Sequence, residues 1–147
     1  MKHVVSLACL LAAVAASAQN SADKKQLDAL TANLRTAKAN FKKSHGNPKA
    51  KHQLVVAIDK LATATMTSEA LNPRLRYPQA LAMYQDALNL DPQNNEAKNN
   101  AAMIDSVYRG MIARAKSNLA KNPKDPKAAS EYARLTVIYT KIHRPIP

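Results

Sequence analysis

A single cysteine, Cys9, excludes an internal disulfide and a Cys-ligated metal, so stability has to come from packing. Two glycines and almost no apolar–polar alternation leave strands and tight hairpins without raw material, and the chain reads as all-α. The ten acidic residues are scattered and do not supply the paired carboxylates of acid–base hydrolysis. Gly-x-Ser-x-Gly, a phosphate-cradling glycine loop and His-Glu-x-x-His are all missing, and of His45, His52 and His143 the first two have no third ligand at a spacing that would complete a metal site. With no tryptophan, one phenylalanine and five tyrosines that mostly fall on apolar helix faces, the chain lacks a base-stacking platform, which disfavours nucleic acid as a partner. What these exclusions leave is a protein expected not to be an enzyme and to need no cofactor or metal.

Positive charge and helical periodicity are what the chain has in plenty. Twenty-two Lys and Arg give a net charge of +12, and a chain this basic binds polyanions in a salt-sensitive way. Residues 1–18, MKHVVSLACLLAAVAASA, join Lys2 to an apolar run, Val4–Ala15, broken only by Ser6, and end on Ala16-Ser17-Ala18 before Gln19. This is the pattern of a cleaved bacterial-type signal peptide. The run is shorter than the about 20 residues that span a bilayer. An exported protein, periplasmic or secreted, is therefore expected, with a mature chain of residues 19–147, its charge lowered only by Lys2, and no transmembrane segment. An uncleaved anchor is the alternative. Cys9 does not mark a lipid attachment, because the apolar run continues beyond it.

Residues 19–47 read as a basic amphipathic helix. Over Asp23–Ser44, Leu27, Leu30, Leu34, Ala37 and Phe41 recur at offsets of three and four, Asp23 is placed to cap the start, and Gly46-Asn47-Pro48 ends it. From Arg35 to Lys51 there are six Lys or Arg and no acid: Arg35, Lys38, Lys42, Lys43, Lys49 and Lys51. They form either a solvated face or a docking strip for a polyanion, an anionic envelope polymer above all. Pro48–Thr65 gives a second helix with Leu54, Val55, Ile58, Leu61 and Ala62 inward, and Met66–Arg76 gives a long loop broken at Asn72-Pro73.

In the helix that follows, Tyr77, Ala80, Leu81, Tyr84, Ala87 and Leu88 share one face, Pro78 falls in the first turn, and Asp91-Pro92 stops the helix. Asn95–Lys121 is expected to divide near Arg109-Gly110, with one long helix as the alternative. Pro126–His143 closes the chain, capped by Asp125, and its Lys141, His143 and Arg144 suit the negative end of a helix dipole.

The stretch Ala80-x3-Tyr84-x2-Ala87-x4-Pro92, preceded by Arg76-Tyr77 and followed by Asn94-x2-Ala97, resembles the second helix and exit turn of a tetratricopeptide repeat. The resemblance covers about one repeat. A second, weaker unit follows at an offset of 31 residues, which aligns Leu88 with Leu119, Pro92 with Pro123, Ala97 with Ala128, Ala102 with Ala133, Ile104 with Leu135, Val107 with Ile138 and Tyr108 with Tyr139. Departures are plain: the family's period is 34 residues, and Lys98, Ala101-Ala102 and Asp105 stand where it places a large residue, Leu-Gly and Tyr. Met111, Ala115 and Asn118 likewise replace what Ala80, Tyr84 and Ala87 do in the clear repeat.

The resemblance implies a short helical-repeat solenoid of about five to six helices, with the repeat domain over residues 48–147 and the last helix as a cap, that binds protein or peptide, including acidic segments. A plain helical bundle is the alternative fold. Carried over from the turn prolines, the groove-facing residues implied are Asn99, Met103 and Ser106, then Ser130, Arg134 and Val137. Asn99 would bond a peptide backbone, and Arg134 would hold a carboxylate in a two-pronged pair.

Overall fold

The computed structural model describes residues 4–142, with side chains placed for residues 20–72 and 75–141. It has five α-helices, α1 (Val4–Lys43), α2 (Pro48–Thr67), α3 (Pro73–Leu90), α4 (Asn95–Lys121) and α5 (Pro126–Ile142), and no strand among the described residues. Part of the expected leader, residues 1–3, and His143 and Arg144 of the expected dipole set lie outside the described residues.

Three element boundaries differ from expectation, each for a local reason. Helix α1 begins at Val4 and not near Asp23, because no glycine or proline interrupts residues 4–43. Asp23 is therefore not a cap; its carboxylate accepts the backbone N–H of Glu69, 3.0 Å away in the α2–α3 connection. That connection is Ser68–Asn72, shorter than the expected Met66–Arg76. Pro73 does not break a helix but opens one, at a position where its missing N–H is not needed. The Asn72 carbonyl there accepts from Leu75 and Arg76 at 2.8 and 3.1 Å, and Pro78 falls inside α3 and not in its first turn. Finally, α4 runs unbroken through Gly110 for 27 residues. Ile104, Tyr108, Ile112 and Ala115 keep one core-facing stripe across the glycine, and that continuity outweighs a propensity cost of about 1 kcal/mol.

The helices pack in chain order, each on the next, and α3 also touches α5. Between α1 and α2 the chain reverses through His45 (φ 50°) and Gly46 (φ 82°), both left-handed, with Asn47 accepting from the Lys49 N–H at 2.9 Å to cap α2. The α3–α4 and α4–α5 turns are copies. Asn94 N–H donates to the Asp91 carbonyl at 3.1 Å, and Asp125 N–H to the Asn122 carbonyl at 3.0 Å, 31 residues on. In both, the next bond closes the following helix, Lys98 to Asn94 and Ala129 to Asp125, each at 3.1 Å. The aligned pair Ile104 and Leu135 is fully buried at corresponding places in α4 and α5.

Ala80, Ala87, Ala97 and Ala101 are fully buried and let α3 and α4 approach closely, with Tyr84, Leu88 and Ile104 as the large side chains filling the space between. Leu34, Ala37 and Phe41 of α1 pack against the same cluster through α2. Burial of each large side chain contributes about 1.5–3 kcal/mol.

Candidate functional site

Helix α2 is apolar on more than one side. Leu54, Val55, Ile58, Leu61 and Ala62 turn inward and are buried. Gln53, Val56, Ala57, Lys60, Thr63, Ala64 and Thr67 recur at offsets of three and four on the outer side, and Val56, Ala57, Thr63 and Ala64 are only half-exposed there. They floor two adjoining depressions of about 310 Å³ each, which meet at Leu30 and Lys60. Gln26, Leu30 and Asn33 of α1 form one wall, and Glu96 at the start of α4 stands at the other. The result is an open groove with an apolar floor, amide side chains along its edges and one lysine at its middle.

Beneath this groove a chain of hydrogen bonds fixes α4 against α2. The Thr63 hydroxyl lies 2.8 Å from the Tyr84 hydroxyl and donates to Glu96 at 3.3 Å, while Asn100 Nδ2 donates to Tyr84 at 2.9 Å. Asn100 donates to Tyr84, and in the short Thr63–Tyr84 bond either hydroxyl can be the donor, so the four side chains form one connected chain from Asn100 to Glu96. Burial pushes the Tyr84 hydroxyl above its ordinary range and keeps it protonated.

Next to it, the buried Asp59 accepts from Asn94 Nδ2 at 2.6 Å with one carboxylate oxygen, while its other oxygen has no partner. Burial, then the nearby Glu96 and Asp91, raise its pKa, and the Asn94 bond opposes them. Asn94 also caps α4 through the Ala97 N–H, 3.1 Å, so one side chain ties the α3–α4 turn to both neighbours.

The residues implied by the repeat resemblance divide between two helices. Asn99 and Met103 are exposed on α4, three and seven residues beyond Glu96, which places them on the flank that carries the groove wall. Ser106 is exposed one turn further, beside an exposed apolar row of Met103, Val107 and Met111. Ser130 and Val137 are exposed on α5, and Arg134 is held by Glu131 through bonds of 2.7 and 3.1 Å. The Tyr139 hydroxyl donates to Asp105 at 2.8 Å and sets the antiparallel register of α4 and α5. Ser130 consequently falls roughly 20 Å along the axis from Asn99 at 1.5 Å per residue. Neither Asn99 nor Met103 lines the groove, to which α4 contributes Glu96, and Ser130 lies far from both along the helix axis.

Arg35, Lys38, Lys42, Lys43, Lys49 and Lys51 are all exposed, around the α1–α2 turn. Tyr77 is half-buried, Ala80, Tyr84 and Ala87 are fully buried, and Pro92 is exposed in its turn. Sequence reasoning missed the groove floor of α2 and the hydrogen-bonded chain; the available signal was that Val56, Ala57 and Ala64 fall outside the inward stripe of that helix. Among the described residues no three His, Cys, Asp or Glu side chains converge on a metal-sized site, and no helix is long and apolar enough to cross a membrane. No family model, curated protein or solved structure matches the chain.

Proposed function

We propose that this chain is an exported, non-catalytic, tetratricopeptide-like scaffold that binds an extended protein or peptide segment in the groove over α2. The observation that carries the proposal is the groove itself: half-exposed Val56 and Ala57 form an apolar floor, half-exposed Leu30 adds to it from the α1 wall, and Gln26, Asn33 and Gln53 stand at the edges. Apolar contact would supply affinity, and amide side chains can both donate to and accept from a peptide backbone. Helix-on-next-helix packing and the copied turns at Asp91–Asn94 and Asn122–Asp125 support the repeat part of the reading. Residues 1–18 support the export part.

The test starts from the full chain expressed in a bacterial host, recovered from the envelope fraction with Gln19 as its first residue, and panned against a random peptide library in high salt. Peptides are expected to be enriched, and Val56→Glu, which puts a charge on the groove floor, is expected to weaken them at least tenfold, while Lys116→Glu on the far part of α4 leaves them unchanged. No enrichment in high salt, or enrichment indifferent to Val56→Glu, would remove the groove as the binding site. Recovery of the chain from the cytoplasm with residues 1–18 attached would overturn export.

A further inference from the structure

About a fifth of the chain holds half of its net charge. Between Asp28 and Asp59 there is no acidic residue, and Arg35, Lys38, Lys42, Lys43, Lys49 and Lys51 supply +6 of the +12. The α1–α2 turn makes a surface of this run. With His45 and Gly46 left-handed, the chain reverses over Ser44–Asn47, so Lys42 and Lys43 at the end of α1 come next to Lys49 and Lys51 at the start of α2. Lys38 and Arg35 continue the row one and two turns back along α1, roughly 6 and 4.5 Å apart along the axis.

All six side chains are exposed and none is engaged by an ion pair or hydrogen bond among the described residues; the ion pairs there, Arg109–Asp105 and Arg134–Glu131, belong to α4 and α5. Solubility does not call for this, since mixed charges of both signs serve it as well, whereas like charges gathered at one end repel and give nothing back in packing.

We propose that this end of the α1–α2 hairpin binds a linear acidic polysaccharide. Two other polyanions fit less well. A bilayer-binding surface adds apolar anchors, but among the described residues the exposed large hydrophobics, Leu75, Met103, Val107, Met111 and Val137, all lie on α3, α4 and α5. Nucleic-acid surfaces add stacking Phe, Tyr or Trp side chains, and the only one of these in α1 and α2, Phe41, is packed against the core. Five of the six cations are lysines, compact charges that pair with carboxylate or sulfate groups in any orientation along a flexible chain. The row of cations follows a helix edge, which suits a linear ligand.

The experiment titrates the full chain with fluorescent polygalacturonate, duplex DNA and phosphatidylglycerol vesicles at matched low salt. Polygalacturonate is expected to bind tightest. The triple change Lys38→Glu, Lys42→Glu and Lys49→Glu is expected to weaken it about 100-fold and to lower the slope of log K against log salt by about three. A control of equal charge, Lys116→Glu, Lys121→Glu and Lys124→Glu, is expected to change affinity less than about threefold. Equal losses in both triples would mean that net charge alone binds, which overturns the site; tighter binding of DNA or vesicles, or no binding at all, overturns the ligand class. Circular dichroism verifies that helicity is kept, and if the Glu triple loses it, the corresponding Gln triple carries the test with an expected loss of about tenfold.

Discussion

Asp59 is the side chain whose environment fits it least. It is buried, one oxygen is bonded to Asn94, the other has no partner, and burial raises its pKa. A group whose folded pKa lies above its unfolded value of about 3.9 adds its full stabilising contribution below that value and loses it as pH rises through the folded pKa. At neutral pH the protein therefore bears a desolvated charge. Asp59→Asn keeps an oxygen for the Asn94 bond and removes the charge, so it is expected to stabilise by about 1 kcal/mol, or about 4 °C in Tm, at pH 7. Below about pH 3.5 the advantage disappears, because the wild-type carboxyl is then protonated as well. Thermal melts of both proteins at the two pH values check this; a mutant less stable at pH 7, or a difference that does not change with pH, would mean that the Asn94 bond needs the negative charge.

The two glycines serve opposite purposes in their elements. Gly46 holds φ +82° in the α1–α2 turn, a conformation that costs an L-residue about 1–2 kcal/mol, whereas Gly110 is a helical residue around which an added Cβ meets nothing within 4 Å. Gly46→Ala is expected to destabilise by about 1 kcal/mol and Gly110→Ala to stabilise by about 0.5–1 kcal/mol, as read by denaturant unfolding. If α4 were two helices with Gly110 at the joint, the second change would destabilise.

The same contrast explains what the sequence made legible at this scale. Core faces of α2, α3 and α4 follow from a 3.6-residue period, and the turn prolines at 92 and 123 fix where α4 and α5 begin. Gly110 and Pro73 misled because a local breaker signal weighs about as much as one residue's propensity, while the apolar stripe through Tyr108, Ile112 and Ala115 acts over several turns. In the site, only the exposure of Asn99 and Met103 was legible, from the phase of α4. The α2 floor was not, since Val56 and Ala57 look like core until the inward face is known, and neither was the Asn100–Tyr84–Thr63–Glu96 chain, whose members come from α2, α3 and α4 and meet only when the three helices pack.

Across the whole molecule, burial is unevenly shared among helices that mainly touch their neighbours in the chain. The most buried side chains run from Leu54 in α2 through α3 to Tyr108 in α4; beyond Tyr108, among the described residues, only Ala115 and Leu135 are buried, and Ile112, Tyr132, Ile138 and Tyr139 pack against the core half-buried. When contacts pass from each element to the next, the ends open without the middle, and their opening free energies fall below the global value. Native-state hydrogen exchange is therefore expected to show the highest protection in α3 and the adjoining parts of α2 and α4, with the last turns of α4 and all of α5 exchanging through a cheaper, partial opening. Leu135 is the buried residue that fastens α5, and Leu135→Ala, costing about 2–5 kcal/mol, is expected to lower protection in α5 and the end of α4 while leaving α2 near its original value. A closed bundle in which every helix depends on every other would behave differently: protection would be uniform, and Leu135→Ala would lower it in all five helices together.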